Sequence, residues 1–359
     1  MADISQKDAR RRGRGGRRRL LGAIVVGLPV LAAARTINIV ATTPDLAAIA
    51  REVGGDRVSV SAIARGDQNL HAIEAKPSYM MQARNADLWI RVGLQQEAGY
   101  ERPILQGTRN PKILPGQPGH LDASVDIDPL EKPSDFRAAA GLTLSDVHPL
   151  GNPHYWLDPY NARVIARTIA GRLTELDPEG RSTYETHLAD FLKRLDERTF
   201  GAELVEAVGG DRLWEMADSG LLEAYLAEHP TPALGGWLGR MRALRGARVV
   251  TYHRSWSYFL RRFGLETIGE IEPKPGIPPS PGHVVEVIEA MRAQRVKLIL
   301  MEPYYSRQAP DRIARETGAV VVVAALSVGG QPEAPDYFGL IDNLITRLAA
   351  AAEAQGLIP

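Results

Sequence analysis

Two hydrophobic periods alternate along the chain. Short continuous runs of β-branched and aliphatic residues occur at Ile37–Ala41, Val58–Ile63, Leu88–Val92, Arg248–Tyr252, Lys297–Met301 and Ala319–Ala324. Continuous apolar runs of this sort suit parallel strands buried on both faces. Most are separated by helical patterns, which gives an α/β class. From Asp158-Pro159, the positions Val164, Ile165, Ile169 and Leu173 predict a helix closed near Asp177-Pro178. Tyr184, Leu188, Phe191, Leu192 and Leu195 predict a second, longer one. This strand-free stretch divides the chain into two α/β lobes with a long helix as connector: 35–177, the connecting helix 178–207, and 208–359. A short echo relates the lobes. Lys76-Pro77-Ser78 opens a helix followed by the strand at Leu88, and Pro279-Ser280-Pro281 opens one followed by the strand at Leu298. Ser280 as N-cap with Pro281 at the first helical position is good start chemistry. Residues Phe200–Met241 carry no functional pattern and are assigned to covering the second lobe.

Charge changes the picture only at the N-terminus. The 43 Lys+Arg balance the 43 Asp+Glu, but residues 1–34 hold eight basic and two acidic residues, leaving the remainder at net −6. The basic cluster runs into the apolar stretch Leu20–Ala34, ending in Ala32-Ala33-Ala34. That order of charged region, apolar region and small-residue site predicts a cleaved export signal and a periplasmic mature protein. A permanent anchor is the alternative, disfavoured because the run is short for ~30 Å of hydrocarbon and contains Pro29. Arg17-Arg18-Arg19 leaves general or twin-arginine export open. A nucleic-acid-binding arm would not account for the apolar run that follows, so no nucleic-acid partner is expected. The chain has no cysteine, which removes disulfides, thiolate metal sites, a cysteine nucleophile and a lipidated-Cys anchor.

The candidate chemistry lies in the histidines. His71 follows the strand at Val58–Ile63, His253 directly follows Arg248–Tyr252, and His154 sits in Asn152-Pro153-His154-Tyr155-Trp156-Leu157-Asp158-Pro159. Open α/β sheets collect ligands beyond the carboxyl ends of their strands, where His71 and His253 stand. Three neutral imidazoles suit Zn²⁺ and leave one tetrahedral position for an oxygen ligand or water. No local zinc motif is present, so such a site must be assembled from distant segments. His187, His229 and His283 are read as structural or solvated. His120 and His148, the histidines of the segment Gly116–Leu150, are read as loop residues, with His148 at most a transient contributor six positions before His154.

Three motifs carry a family resemblance over essentially the whole mature chain, in order. They are Gly66-Asp67-Gln68-Asn69-Leu70-His71 with Lys76-Pro77-Ser78, the His154 run above, and Thr251-Tyr252-His253 with Tyr258 and Phe263-Gly264-Leu265. Together they resemble the zinc/manganese substrate-binding proteins of ABC transporters, the ZnuA/TroA type. The resemblance implies two Rossmann-like lobes joined by a rigid helix, a metal ion in the interlobe cleft that closes little on binding, and delivery of that ion to a membrane permease. It carries the ligand role to His71, His154 and His253, with a monomer expected. It also implies a binding protein rather than an enzyme. The family's aspartate in a loop after the last strand does not carry over, because Leu326-Ser327-Val328-Gly329-Gly330 stands there. Glu302 is therefore the expected fourth ligand, with Glu272 beside Lys274, or water, as alternatives. Such a ligand set favours Zn²⁺, with Mn²⁺ the alternative cargo. The rival of another class is a secreted zinc hydrolase with Glu302 as general base. Because ligating imidazoles must be neutral, affinity is expected to fall as pH drops through about 6.5.

Overall fold

Each half of the chain builds a four-stranded, all-parallel sheet. The computed structural model describes residues 36–132, 148–272 and 277–358. The first sheet runs β2-β1-β3-β4, with β1 Ile37–Ala41, β2 Val58–Ala62, β3 Leu88–Arg91 and β4 His120–Asp122. The second runs β6-β5-β7-β8, with β5 Arg248–Thr251, β6 Glu266–Glu270, β7 Leu298–Met301 and β8 Val320–Val323. The two orders coincide when each strand number is advanced by four, so the short sequence echo extends to whole sheets. The export-signal reading of residues 1–34, the part of the loop reading over 133–147, and Lys274 lie outside the described residues.

The six predicted strands are present, and two more complete the sheets at their edges. β4 is only three residues long, and β6 begins and ends in glutamate. Edge strands tolerate such polar residues, so neither carries the apolar run by which central strands are recognised. In contrast, all four residues of β7 are buried.

The helices of the first half are α1 Pro44–Gly54, α2 Pro77–Ala83, α3 Glu101–Thr108 and α4 Pro159–Leu176, followed by the 20-residue α5 Arg181–Phe200. Four short helices then fill the stretch Phe200–Met241, for which the sequence offered no functional pattern: α6 Ala202–Val208, α7 Gly210–Asp218, α8 Leu222–Glu228 and α9 Gly236–Met241. α10 Ser257–Phe263, α11 Pro281–Gln294, α12 Gln308–Thr317 and α13 Tyr337–Ala354 complete the second half. Start chemistry fixes the important ones. Asp158 caps α4 by accepting from the Tyr160 amide at 2.9 Å, with Pro159 opening the helix. Ser280 accepts from the His283 amide at 3.2 Å, with Pro281 opening α11. Among the described residues, no helix is long and apolar enough to cross a membrane.

The seam between the lobes is apolar and hydrogen-bonded. Buried Phe191 of α5 packs 5.3 Å from Phe338 of α13, while Arg194 of α5 reaches Glu52 of α1. Trp156 Nε1 donates to the Leu326 carbonyl at 2.8 Å, and Tyr337 Oη donates to the Trp156 carbonyl at 2.7 Å. Buried Asp45, in the first turn of α1, accepts from the Val328 amide at 2.9 Å. A β-carbon on Gly66 would run into the backbone of Val328 and Gly330, so that close approach requires glycine. One apolar cluster continues from Ile37 through Trp156 to Leu348, crossing the seam.

Candidate metal centre

Four imidazoles meet at this seam. His71 lies in a single 3-10 turn after β2, where Asn69 Oδ1 accepts from its amide at 2.9 Å. His154 precedes the 3-10 turn Tyr155–Leu157, beside the Trp156 ring at 5.4 Å. His253 stands two residues beyond β5. The His71 ring is 5.0 Å from that of His154 and 6.0 Å from that of His253, and His154 and His253 are 6.2 Å apart. The three predicted histidines are therefore neighbours. His148 joins them, its ring 4.9 Å from His71 and 6.5 Å from His154. His148 lies in a loop, as read from the sequence, and a turn closed by the Gly151 amide on the His148 carbonyl at 3.0 Å, with Gly151 at φ +110°, folds it back onto the other rings.

The rings are held from behind. His154 Nδ1 meets Asn152 Oδ1 at 2.9 Å, and since that oxygen only accepts, the proton of a neutral His154 sits on Nδ1. Its Nε2 then presents a lone pair, 3.1 Å from Nε2 of His71. His71 Nδ1 lies 3.2 Å from the Gln96 side-chain amide. His253 Nδ1 lies 2.9 Å from Glu272 Oε2, a carboxylate backing an imidazole. Gln96 is itself placed by Glu97, which accepts from the Val92 and Gly93 amides at 2.7 and 3.1 Å and from Thr42 Oγ1 at 2.7 Å. Between them Leu94 and Gln95 are left-handed, at φ 50° and 69°, a conformation that costs of order 1 kcal/mol per residue. Gln96 and Glu97 were missed in the sequence because neither belongs to a periodic or spaced motif; Asn152, in the His154 run, was quoted without a role.

Two nitrogens bound to one tetrahedral zinc at 2.0–2.1 Å stand about 3.3 Å apart. The 3.1 Å between the His71 and His154 Nε2 atoms is close to that edge. The remaining donors are not yet converged: among the described residues, no three His, Cys, Asp or Glu side chains gather into a closed metal polyhedron. Loading an ion therefore requires the rings to turn about their side-chain torsions.

Burial keeps the imidazoles neutral. It pushes His71 and His154 well below the usual histidine range, helped by the neighbouring rings, and His148 down to about 4. The buried rings are therefore harder to protonate than an exposed imidazole. Glu302 follows β7 and is fully buried, and neither carboxyl oxygen makes a hydrogen bond of normal geometry. Burial raises it to about 7, opposed first by His253. The other histidines stand apart from the cluster. His120 Nδ1 meets the Ile113 carbonyl at 2.9 Å, His229 stacks on Tyr225 at 4.1 Å, His283 Nε2 meets the Glu270 carbonyl at 3.0 Å, and His187 packs against Gly55.

Comparison with known proteins places this arrangement. The family model described as ZnuA, zinc-uptake complex component A periplasmic, matches residues 39–210 and 236–351. The iron-binding protein YfeA of Yersinia pestis is 24% identical over 326 residues, covering 88% of this chain and 86% of that protein. The high-affinity zinc uptake system protein ZnuA of Brucella abortus (strain 2308) is 23% identical over 198 residues, 54% of this chain and about half of that protein, at 48%. Among solved structures, a crystal structure of ZnuA superposes with a TM-score of 0.63 at 24% identity, covering 88% of this chain and 99% of that one. A Cd-bound periplasmic metal binding protein from Candidatus Liberibacter asiaticus gives 0.61 at 19% identity, covering 90% and 100%. These likenesses establish the two-lobed fold, and the family match over most of the sequence establishes kinship: the chain belongs to the ZnuA family of periplasmic zinc-uptake components, the substrate-binding proteins of metal ABC transporters.

Proposed function

We propose that this protein captures a divalent transition metal, Zn²⁺ before Mn²⁺, in the periplasm and hands it to the membrane permease of an ABC transporter, acting as a monomeric carrier and not as an enzyme. His71, His154 and His253 serve as ligands, and Glu302 supplies buried negative charge beside His253. The observation that carries the reading is the 3.1 Å approach of the His71 and His154 Nε2 atoms, each ring backed on its other nitrogen by a side-chain amide. Gln96 Nε2 donates to His71 Nδ1, so in the ion-free protein His71 Nε2–H donates to the His154 Nε2 lone pair, and a cation would take the place of that one proton between the two rings. Nitrogen donors favour zinc over manganese, which prefers oxygen. Relatives named for iron, manganese and zinc make the cargo a matter for direct measurement.

The test is metal stoichiometry of the chelator-stripped protein, wild type beside His154→Ala. One tightly bound zinc per wild-type chain, lost in the variant, is expected. Absence of stoichiometric zinc, preference for Mn²⁺ in competition, or chelator-sensitive turnover of ester or peptide substrates would each overturn the corresponding part of the proposal.

A further inference from the structure

His148 is the unexplained group of this site. Both its ring nitrogens are buried, and neither forms a hydrogen bond of normal geometry, the one backbone group that approaches the ring being that of Leu94. Buried polar atoms are nearly always partnered in native proteins, and each one left unpaired costs about 1–3 kcal/mol. His120, by contrast, is anchored on the Ile113 carbonyl at 2.9 Å. His148 instead lies 4.9 Å from the ring of His71, tilted by 40°, and 6.5 Å from that of His154. The turn that delivers it leads directly into Asn152, the residue that orients His154, so one loop presents both imidazoles.

The loop after the last strand of the second sheet points the same way. It offers Ser327 rather than a carboxylate, and its backbone is engaged by Asp45 through the Val328 amide. Glu302 and Glu272 lie on the His253 side, Glu272 already bonded to that ring. The position beside His71 is covered by His148.

Resting on the metal-carrier reading above, we propose that His148 is the fourth protein ligand, so that the ion is held by four imidazoles, His71, His148, His154 and His253, and that this all-nitrogen set selects Zn²⁺ and similar nitrogen-seeking dications against Mn²⁺. Four neutral ligands leave the dication's charge uncancelled within its first shell, and Glu302 and Glu272 supply the nearby negative charge. Neither carboxylate needs to touch the metal.

The experiment uses the chelator-stripped exported protein in four forms: wild type, His148→Ala, His148→Gln and His154→Ala. Zinc affinity is measured by chelator competition, the Zn²⁺/Mn²⁺ preference by competition between the two ions, and the ligand field by visible absorption of the Co²⁺-loaded protein. Far-UV circular dichroism confirms that each variant is folded, and His148→Gln keeps much of the ring's volume should the alanine variant fail. Both His148 variants are expected to bind one equivalent of zinc at least about 10-fold more weakly, since removing even an outer-sphere partner costs 10–100-fold. They should also shift the cobalt spectrum and narrow the preference for zinc. Wild-type zinc affinity and an unchanged cobalt spectrum in both His148 variants, with zinc lost in His154→Ala, would overturn this inference and leave the carrier reading standing. No zinc binding by wild type would overturn the carrier reading itself.

Discussion

Asn152 shows how much of this site is set one shell behind the donors. Its Oδ1 meets both the backbone amide and Nδ1 of His154, and its Nδ2 donates to the Arg254 carbonyl at 2.8 Å. One side chain thus fixes the His154 tautomer and ties it to the segment carrying His253. Replacing Asn152 with Ala is expected to weaken zinc binding by about 10–100-fold without abolishing stoichiometry, read by chelator competition. Gln96→Leu, which leaves His71 Nδ1 without its amide, is expected to lower affinity in the same direction by a smaller factor. The sequence made His71, His154 and His253 legible because each sits in a motif or at a strand end. It hid His148, because the H-x5-H spacing has no helical or strand period. Only the left-handed turn at Gly151 converts six residues of chain into ring contact. Gln96 was hidden for a related reason, since its aim depends on two left-handed residues, Leu94 and Gln95, in a turn held by the adjacent buried Glu97.

Among the elements, α1 carries a charge the sequence gives no reason to suspect. Asp45 reads as an ordinary acidic residue in a first helical turn, yet it is fully buried, with its carboxyl raised to about 7 by that burial. The native fold holds the proton that the unfolded chain releases near pH 4, so Asp45 favours folding at low pH. That contribution disappears as pH rises from about 4 to about 7. Asp45→Asn keeps an acceptor for the Val328 amide and removes the charge. The stability of wild type relative to this variant should therefore fall by on the order of 2–4 kcal/mol between pH 5 and pH 8, measured by urea unfolding of both proteins without metal. Helix caps and central strands were readable in advance because their signals are local. The edge strands β4 and β6 were not, since pairing on one side alone demands no continuous apolar run.

At the scale of the whole molecule, the continuous core and the bonded seam leave little room for a hinge. Trp156 is fully buried between the lobes, and opening them would expose it along with its bonds to Leu326 and Tyr337. Truncating such a residue costs about 3–5 kcal/mol, which sets the scale of the penalty. Small-angle scattering of the mature chain should give a radius of gyration near 20 Å, about the value for a compact chain of this length, unchanged on adding zinc. A contraction of several ångströms would show that the lobes move as rigid halves. The pairing of two matching sheets was foreshadowed by the Pro77 and Pro281 helix starts, but the tightness of their union was not, because it depends on contacts between residues more than 140 positions apart.

The histidines are divided unequally across that union. Three of the four rings hang from the first half and one from the second, on the short run after β5. An ion seated among them would belong to one side by three bonds to one, a cup with a single latch. Drawing the β5 end back by an ångström or two would undo that latch while the cup kept its hold, so unloading could proceed bond by bond rather than all at once, with His253 as the first to let go.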